Sequence, residues 1–139
     1  MANLLEKIRD TIKTCPLING NRVNVDYIGT DMTYSLDTLP CTPVLERYVD
    51  GGAKKQYQFA FTSREEYDED VRVNIDNSGF YEDFEDWLEE LNNSDTLPDL
   101  GPGKSALCFE TLNKGYLYDV DGNKAKYRIE CRLLYSQEV

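Results

Sequence analysis

Apolar and polar positions alternate along this chain with two distinct periods. From Asn77 to Asn93 the sequence reads NSGFYEDFEDWLEELNN. Phe80, Tyr81, Phe84, Trp87, Leu88 and Leu91 recur at spacings of three and four and so fall on one helical face. Glu82, Asp83, Glu85, Asp86, Glu89 and Glu90 fill the opposite side. This predicts an amphipathic helix with an aromatic stripe and an acidic back, with Asn77 or Ser78 as cap and early carboxylates at the positive end of the helix dipole. A first helix is expected over residues 2–14, with Leu4, Leu5, Ile8 and Ile12 on one face and Pro16 marking its end.

The remaining segments have the period of strands. Arg22 to Ile28 alternates on Val23, Val25 and Tyr27, and Thr33 to Leu39 is a weaker strand. Asn19-Gly20 signals a turn before them, and Pro40 and Pro43 bracket an extended linker. Val44–Asp50 and Lys54–Thr62 predict a hairpin closed by Gly51-Gly52, with Val44 facing Phe59, Glu46 facing Tyr57 and Tyr48 facing Lys55. Tyr57, Phe59 and Phe61 then share the face that packs on a helix. Residues 63–77 are charged and ambiguous. Val71 and Ile75 allow a short helical turn, with a change of direction at Gly79. After an irregular loop, Ser105–Leu112, Tyr116–Val120 and Lys124–Tyr135 read as strands, the last two joined at Asp121-Gly122 and the first interrupted or bulged at Gly115. The final strand is long enough that it should be central or protrude beyond its neighbours. The order predicts a single α+β domain spanning 1–139, with a mainly antiparallel (mixed) sheet and two main helices on one face.

Composition narrows the function classes. The chain has 139 residues, 40% hydrophobic and 12% aromatic, which is enough for one core without a metal or disulfide. Its net charge is −11, and such a domain is repelled by phosphate backbones, so sequence-specific nucleic-acid binding is not expected. No apolar run is long enough for a membrane helix and no signal peptide is visible at the N-terminus, which points to the cytosol. Cys15, Cys41, Cys108 and Cys131 contain no CxxC pair, and the expected register separates Cys108 from Cys131 by about 13 Å of strand, so buried free thiols are expected.

The absence of histidine removes the usual general base and the commonest zinc ligand, and excludes a Ser-His-Asp or Cys-His arrangement. Paired carboxylates at 65–66, 68–70, 82–83, 85–86 and 89–90 could in principle hold metals, but most fit a solvated helix face or a charged loop. Asp119-x-Asp121-Gly122-Asn123 imitates a calcium loop, yet its flanks alternate as strands and Lys124 stands where glycine is required. Gly101-Pro102-Gly103-Lys104 resembles a phosphate loop but lacks its first glycine and leads into a strand. Neither catalysis nor a cofactor is expected.

The segments NLLEKIRD, NVDYIG, ERYVDGGAKKQYQFAF, NSGFYEDFEDWLEEL, LPDLG and YRIECRLLYSQE, in this order, resemble the minor capsid proteins encoded in the structural gene block of tailed phages and prophages of Gram-positive bacteria. In size and layout the chain is similar to tail terminator or tail completion proteins, over nearly its whole length. The resemblance implies a virion component without catalysis. It implies a subunit that forms a ring, typically a hexamer, which caps the tail tube and docks the head–tail connector. Its partners would be itself, the tail tube protein and the connector protein, first in the host cytoplasm and then in the virion at the head–tail junction. An acidic lining would let DNA pass through such a ring. The candidate contact residues are Arg47, Asp50, Gly51, Gly52, Lys54 and Lys55 at the hairpin tip, with Asp99, Gly101, Gly103 and Lys104 in the loop Pro98 to Lys104. The alternative from the residues is a monomeric acidic adaptor or inhibitor that uses the acidic helix as its surface.

Overall fold

A computed structural model describes residues 4–16, 23–25, 34–66, 71–94, 97–121 and 124–138. The elements run α1 (Leu4–Ile12), β1 (Val23–Val25), β2 (Tyr34–Thr38), β3 (Val44–Arg47), β4 (Ala53–Glu66), α2 (Val71–Asn93), β5 (Lys104–Thr111), β6 (Tyr116–Asp121) and β7 (Lys124–Gln137). The expected order of a helix, three or four strands, a second helix and two or three strands is observed with four strands and then three, and the fold is α+β. The Asn19-Gly20 turn lies outside the described residues, as do the ends of the first predicted strand.

Two long strands organise the sheet. β4 and β7 pair antiparallel over their whole lengths, from Ala53 opposite Gln137 to Glu66 opposite Lys124. Shorter strands line the outer edges of this ribbon. β2 and β3 share the free edge of β4, against residues 59–63 and 53–55 respectively. β5 and β6 share the free edge of β7, against 131–137 and 124–128. β1 extends the sheet beyond β2 and forms its one parallel pair, so the sheet is mixed but mainly antiparallel. Of the two places expected for the long last strand, central or protruding, β7 takes the central one.

Alternation along β4 and β7 separates two faces. Phe59 and Phe61 face the helices, as do Tyr127, Ile129, Cys131, Leu133 and Tyr135. They form one core with Tyr81, Phe84, Leu88 and Leu91 of α2 and with Ile8 and Ile12 of α1. Phe61 stacks on Phe84 with ring centres 4.6 Å apart and lies beside Tyr34 at 5.5 Å. The aromatic stripe of α2 is therefore core packing, and Glu82, Asp83, Asp86, Glu89 and Glu90 face solvent.

The opposite face of the sheet is polar. Arg132 donates to Glu110 at 2.7 and 2.9 Å and to Gln56 at 3.2 Å, and Gln58 donates to Gln56 at 3.1 Å. Arg128 places its guanidinium 5.0 Å from the centre of the Tyr118 ring. Thr62 lies opposite Arg128, and its buried hydroxyl finds no hydrogen-bond partner, nor does Nε of Arg128.

Four expectations require correction. α2 begins at Val71, not Asn77, and runs without a break through Gly79, so Asn77 and Ser78 are helix interior and not caps. The β3–β4 hairpin places Val44 opposite Lys55, not Phe59. The reason is occupancy, because β2 already pairs with 59–63 on that edge and puts Thr38 opposite Phe59. The β6–β7 pairing places Asp121 opposite Lys124, so Asp121 belongs to the strand and not to the turn, and Cys131 faces Thr111 while Cys108 faces Leu134. All four cysteines are nonetheless free thiols, but only Cys15 and Cys131 are buried, while Cys41 and Cys108 are half-buried. Lastly, the irregularity in β5 falls between Ala106 and Cys108, and Gly115 lies in the link to β6.

Candidate interaction surface

The hairpin tip is built by Asp50 and two glycines. Tyr48 N–H donates to the Gly52 carbonyl at 2.8 Å and Gly51 N–H to the Tyr48 carbonyl at 3.1 Å. The Asp50 carboxylate accepts the Gly52 N–H at 2.9 Å, the side-chain turn that Asp commonly makes. Gly51 has φ of 94°, which a residue with Cβ rarely adopts. A Cβ on Gly52 would lie 2.9 Å from the carbonyl oxygen of Gln137, so the tip is pressed against the end of β7.

The second predicted contact element reaches the same place. Asp99 accepts the Gly101 N–H at 2.9 Å, and Gly101 and Gly103 both take positive φ, 94° and 79°. The Gly103 carbonyl accepts the N–H of Glu138 at 2.7 Å, just past the end of β7. In the sheet Ala53, Gln137 and Lys104 lie in one row across three strands. The hairpin tip and the 98–104 loop, far apart in sequence, therefore meet at one end of the sheet around Gln137 and Glu138.

The basic residues at this end do not form one patch. Lys54 and Lys55 are successive strand residues, so they point to opposite faces. Lys55 is on the helix side and donates to Gln137 at 2.7 Å. Lys54 is on the polar side, close enough to act on the Cys108 thiol. Arg47 is exposed at the end of β3 and Asp50 at the turn. Lys104 joins a groove of about 450 Å³ with Leu4, Leu5 and Lys7 of α1, Leu100, and Thr38 and Tyr57 of the sheet. Lys7 donates to the Asp99 carbonyl at 2.8 Å and ties α1 to the loop.

A second cleft of about 550 Å³ lies between α2 and β5, and its lining holds four carboxylates, Glu85, Asp86, Glu89 and Glu110, beside Leu88, Asn92, Phe109, Thr111 and Lys114. Lys114 spans its rim to Glu85 at 3.0 Å, and that hydrogen bond holds the ammonium above its ordinary pKa. Among the described residues no group of three or more Cys, Asp or Glu side chains is placed to hold a metal ion. The calcium-loop imitation is flanked by strands β6 and β7 rather than helices, and Lys104 opens a strand rather than a helix. Among the described residues no helix is long and apolar enough to cross a membrane.

Residue-by-residue reading of the sequence overlooked the sheet edges. Leu45, Leu107 and Tyr118 are the extra residues of three bulges. A signal existed in Tyr116–Asp121, YLYDVD, where both parities carry apolar side chains, which a half-buried strand does not require. Comparison with protein-family models and with curated proteins finds no match to this chain.

Proposed function

We propose that the chain is a phage tail terminator or head–tail joining subunit, a ring-forming structural protein that caps the tail tube and docks the head connector. The resemblance in motif order supplies this reading, and a tail-terminator-like arrangement is its fold counterpart. The observation that carries it is the convergence of the hairpin tip and the 98–104 loop at one end of the sheet, tied together through Gln137 and Glu138. Such an end is a built surface of loops on a rigid sheet, where binding is usually placed.

The test is assembly on the tail tube protein. Lys54→Glu and Lys55→Glu, made separately because the two side chains face opposite ways, should both stay folded, with a lower melt for Lys55→Glu because its hydrogen bond to Gln137 is lost. At least one should weaken tube capping, read as longer tubes in electron micrographs. If neither changes tube length, the hairpin leaves the proposal; if the parent itself neither binds nor caps the tube, the ring reading falls. The acidic back of α2, with five exposed carboxylates from Glu82 to Glu90, favours the second reading of a monomeric adaptor or inhibitor. That reading expects a strict monomer in solution, indifferent to the tube protein.

A further inference from the structure

The groove of about 450 Å³ beside α1 is lined by cations in a chain that is otherwise acidic. Lys7 comes from the helix and Lys104 from the start of β5, and no carboxylate shares the lining. The cleft between α2 and β5 instead sets four carboxylates against one lysine, and a third hollow along α2 is lined by Asp86, Glu89 and Glu90 with Asn93 and Ser94. Lys7 lies three residues on from Leu4, on the same helical face. Its ammonium gives one of its three hydrogens to the Asp99 carbonyl at 2.8 Å. Lys104 is fixed through its backbone, opposite Gln137 in the sheet and next to Gly103, whose carbonyl accepts the Glu138 N–H at 2.7 Å. Among the described residues no carboxylate engages the Lys104 side chain. Leu4, Leu5 and Leu100 supply the apolar part of the lining, and the hydroxyls of Thr38 and Tyr57, 2.7 Å apart, add a neutral polar part.

We propose that this groove binds an acidic peptide segment of a partner protein, whose apolar side chains rest on the three leucines while its carboxylates meet Lys7 and Lys104. The volume falls within the range of ligand pockets, about 300–1,000 Å³. The placement of the charges selects a peptide over a fatty acid. Lys7 stands on the helix wall and Lys104 on the sheet wall, with leucines between them from both α1 and the 98–104 loop. Carboxylates spaced along a chain with apolar side chains match that layout. A fatty acid has a single headgroup, and three leucines do not cover its tail. Charge sets the sign of the partner. The whole chain carries −11, but at physiological salt charges beyond about 8 Å are largely screened, so the two ammonium groups govern what enters. The Asp99 carboxylate on the adjoining loop is turned to the Gly101 N–H at 2.9 Å. Complementary charge of this kind selects the partner more than it raises affinity. Although Lys104 belongs to the contact surface already described, the inference stands apart from the tail reading, because it needs only a partner that carries such a segment.

Fluorescence anisotropy with the full chain tests it. The probe is a dye-labelled octapeptide of alternating leucine and aspartate, capped at both ends, beside the same peptide with asparagine in place of aspartate. The acidic probe should bind saturably, and the asparagine probe at least about tenfold more weakly. Lys104→Glu should loosen the acidic probe by about tenfold or more, Lys104→Gln by less, and Lys104→Arg should keep most of the binding. Lys114→Glu makes the same change in net charge at the α2–β5 cleft and should leave the affinity within about twofold. Circular dichroism melts check that each variant folds, and Lys104→Gln carries the test if the charge reversal melts early. No saturable binding of the acidic probe by the parent overturns the proposal. Equal binding of the two probes overturns it too, as does a loss in Lys114→Glu as large as in Lys104→Glu. Displacement of the probe by dodecanoate at a lower concentration than by unlabelled peptide assigns the groove to a lipid-like ligand and overturns the peptide. A parent that caps the tail tube yet ignores the probe sinks the groove and leaves the tail reading standing. One that binds the probe and ignores the tube does the reverse.

Discussion

The side-chain amide of Asn92 makes both backbone hydrogen bonds of Phe109, donating to its carbonyl at 2.8 Å and accepting its N–H at 2.8 Å. Asn92 thus acts as a one-residue strand beside β5 and fixes the last turn of α2 to the sheet. Asn92→Ala should lower stability by about 1–3 kcal/mol, because both backbone groups lose a partner. Asn92→Asp should cost more than Asn92→Ser, since a carboxylate would face the Phe109 carbonyl. Chemical denaturation reads the order, and equal loss for all three substitutions would show that the contact is dispensable.

Two glycines should respond to alanine with opposite signs. A Cβ on Gly115 would lie 2.5 Å from Cβ and Cγ of Tyr81, whose ring is held in the core, so Gly115→Ala should destabilise by about 1–3 kcal/mol. Gly79 lies inside α2 and a Cβ there meets nothing within 4 Å, so Gly79→Ala should stabilise by about 0.5–1 kcal/mol. Parallel melts of the two variants check both signs.

This contrast also shows where the sequence was readable. The faces of α2 and of β7 were legible because Phe84, Leu88, Ile129 and Leu133 follow strict periods of 3.6 and 2, and a single strong period leaves one choice of buried face. The start of α2 was not, because Gly79 reads locally as a break. In the folded chain its penalty of about 1 kcal/mol is outweighed by a helix already anchored through its aromatic stripe. The hairpin register was hidden for a different reason. Gly51-Gly52 suggests a tight turn, but β3 is restricted to 53–55 by β2, a non-local competitor for the same edge. The two candidate contact segments were each visible from glycine and lysine, with proline marking the second. Their meeting at Gln137 depends on the β4–β7–β5 order, which no local pattern encodes.

Tyr81 supplies the core with a polar anchor. Its hydroxyl donates to the Tyr127 carbonyl at 2.9 Å and lies 2.5 Å from the Ser63 hydroxyl, so Ser63 acts as donor to Tyr81. Tyr81→Phe should cost about 1–3 kcal/mol by stripping two buried groups of a partner. Ser63→Ala should cost less, because the Tyr81 bond to β7 survives. In the double variant the losses should be less than additive, as expected for residues sharing one hydrogen-bond chain. Additive losses in denaturant melts would show that the two hydroxyls act separately.

Cys131 makes stability depend on alkaline pH. The thiol is completely buried in the core beneath α2, and burial, with smaller contributions from Glu85 and Glu130, pushes its pKa well above the ordinary value of 9.0. Tyr135 is raised above 10.0 chiefly by burial as well. Above pH 9.0 the unfolded chain releases the Cys131 proton while the folded chain keeps it, so the folded state binds more protons there. Stability contributed by this group is therefore full below the unfolded value and is lost as pH rises toward the folded one, with a limiting slope of about 1.4 kcal/mol per pH unit. Replacing the thiol by Cys131→Ala should lower stability at pH 7 by leaving a small cavity, yet flatten the fall between pH 9 and 10.5, roughly the window in which the thiol titrates in the unfolded chain. The same burial should keep Cys131 silent toward a thiol reagent in the native state at pH 8, about where a free thiol is already partly ionised, while it reacts at once in denaturant. Rapid native labelling of Cys131, or a fall above pH 9 as steep in Cys131→Ala as in the parent, would exclude the thiol as the source of the alkaline transition.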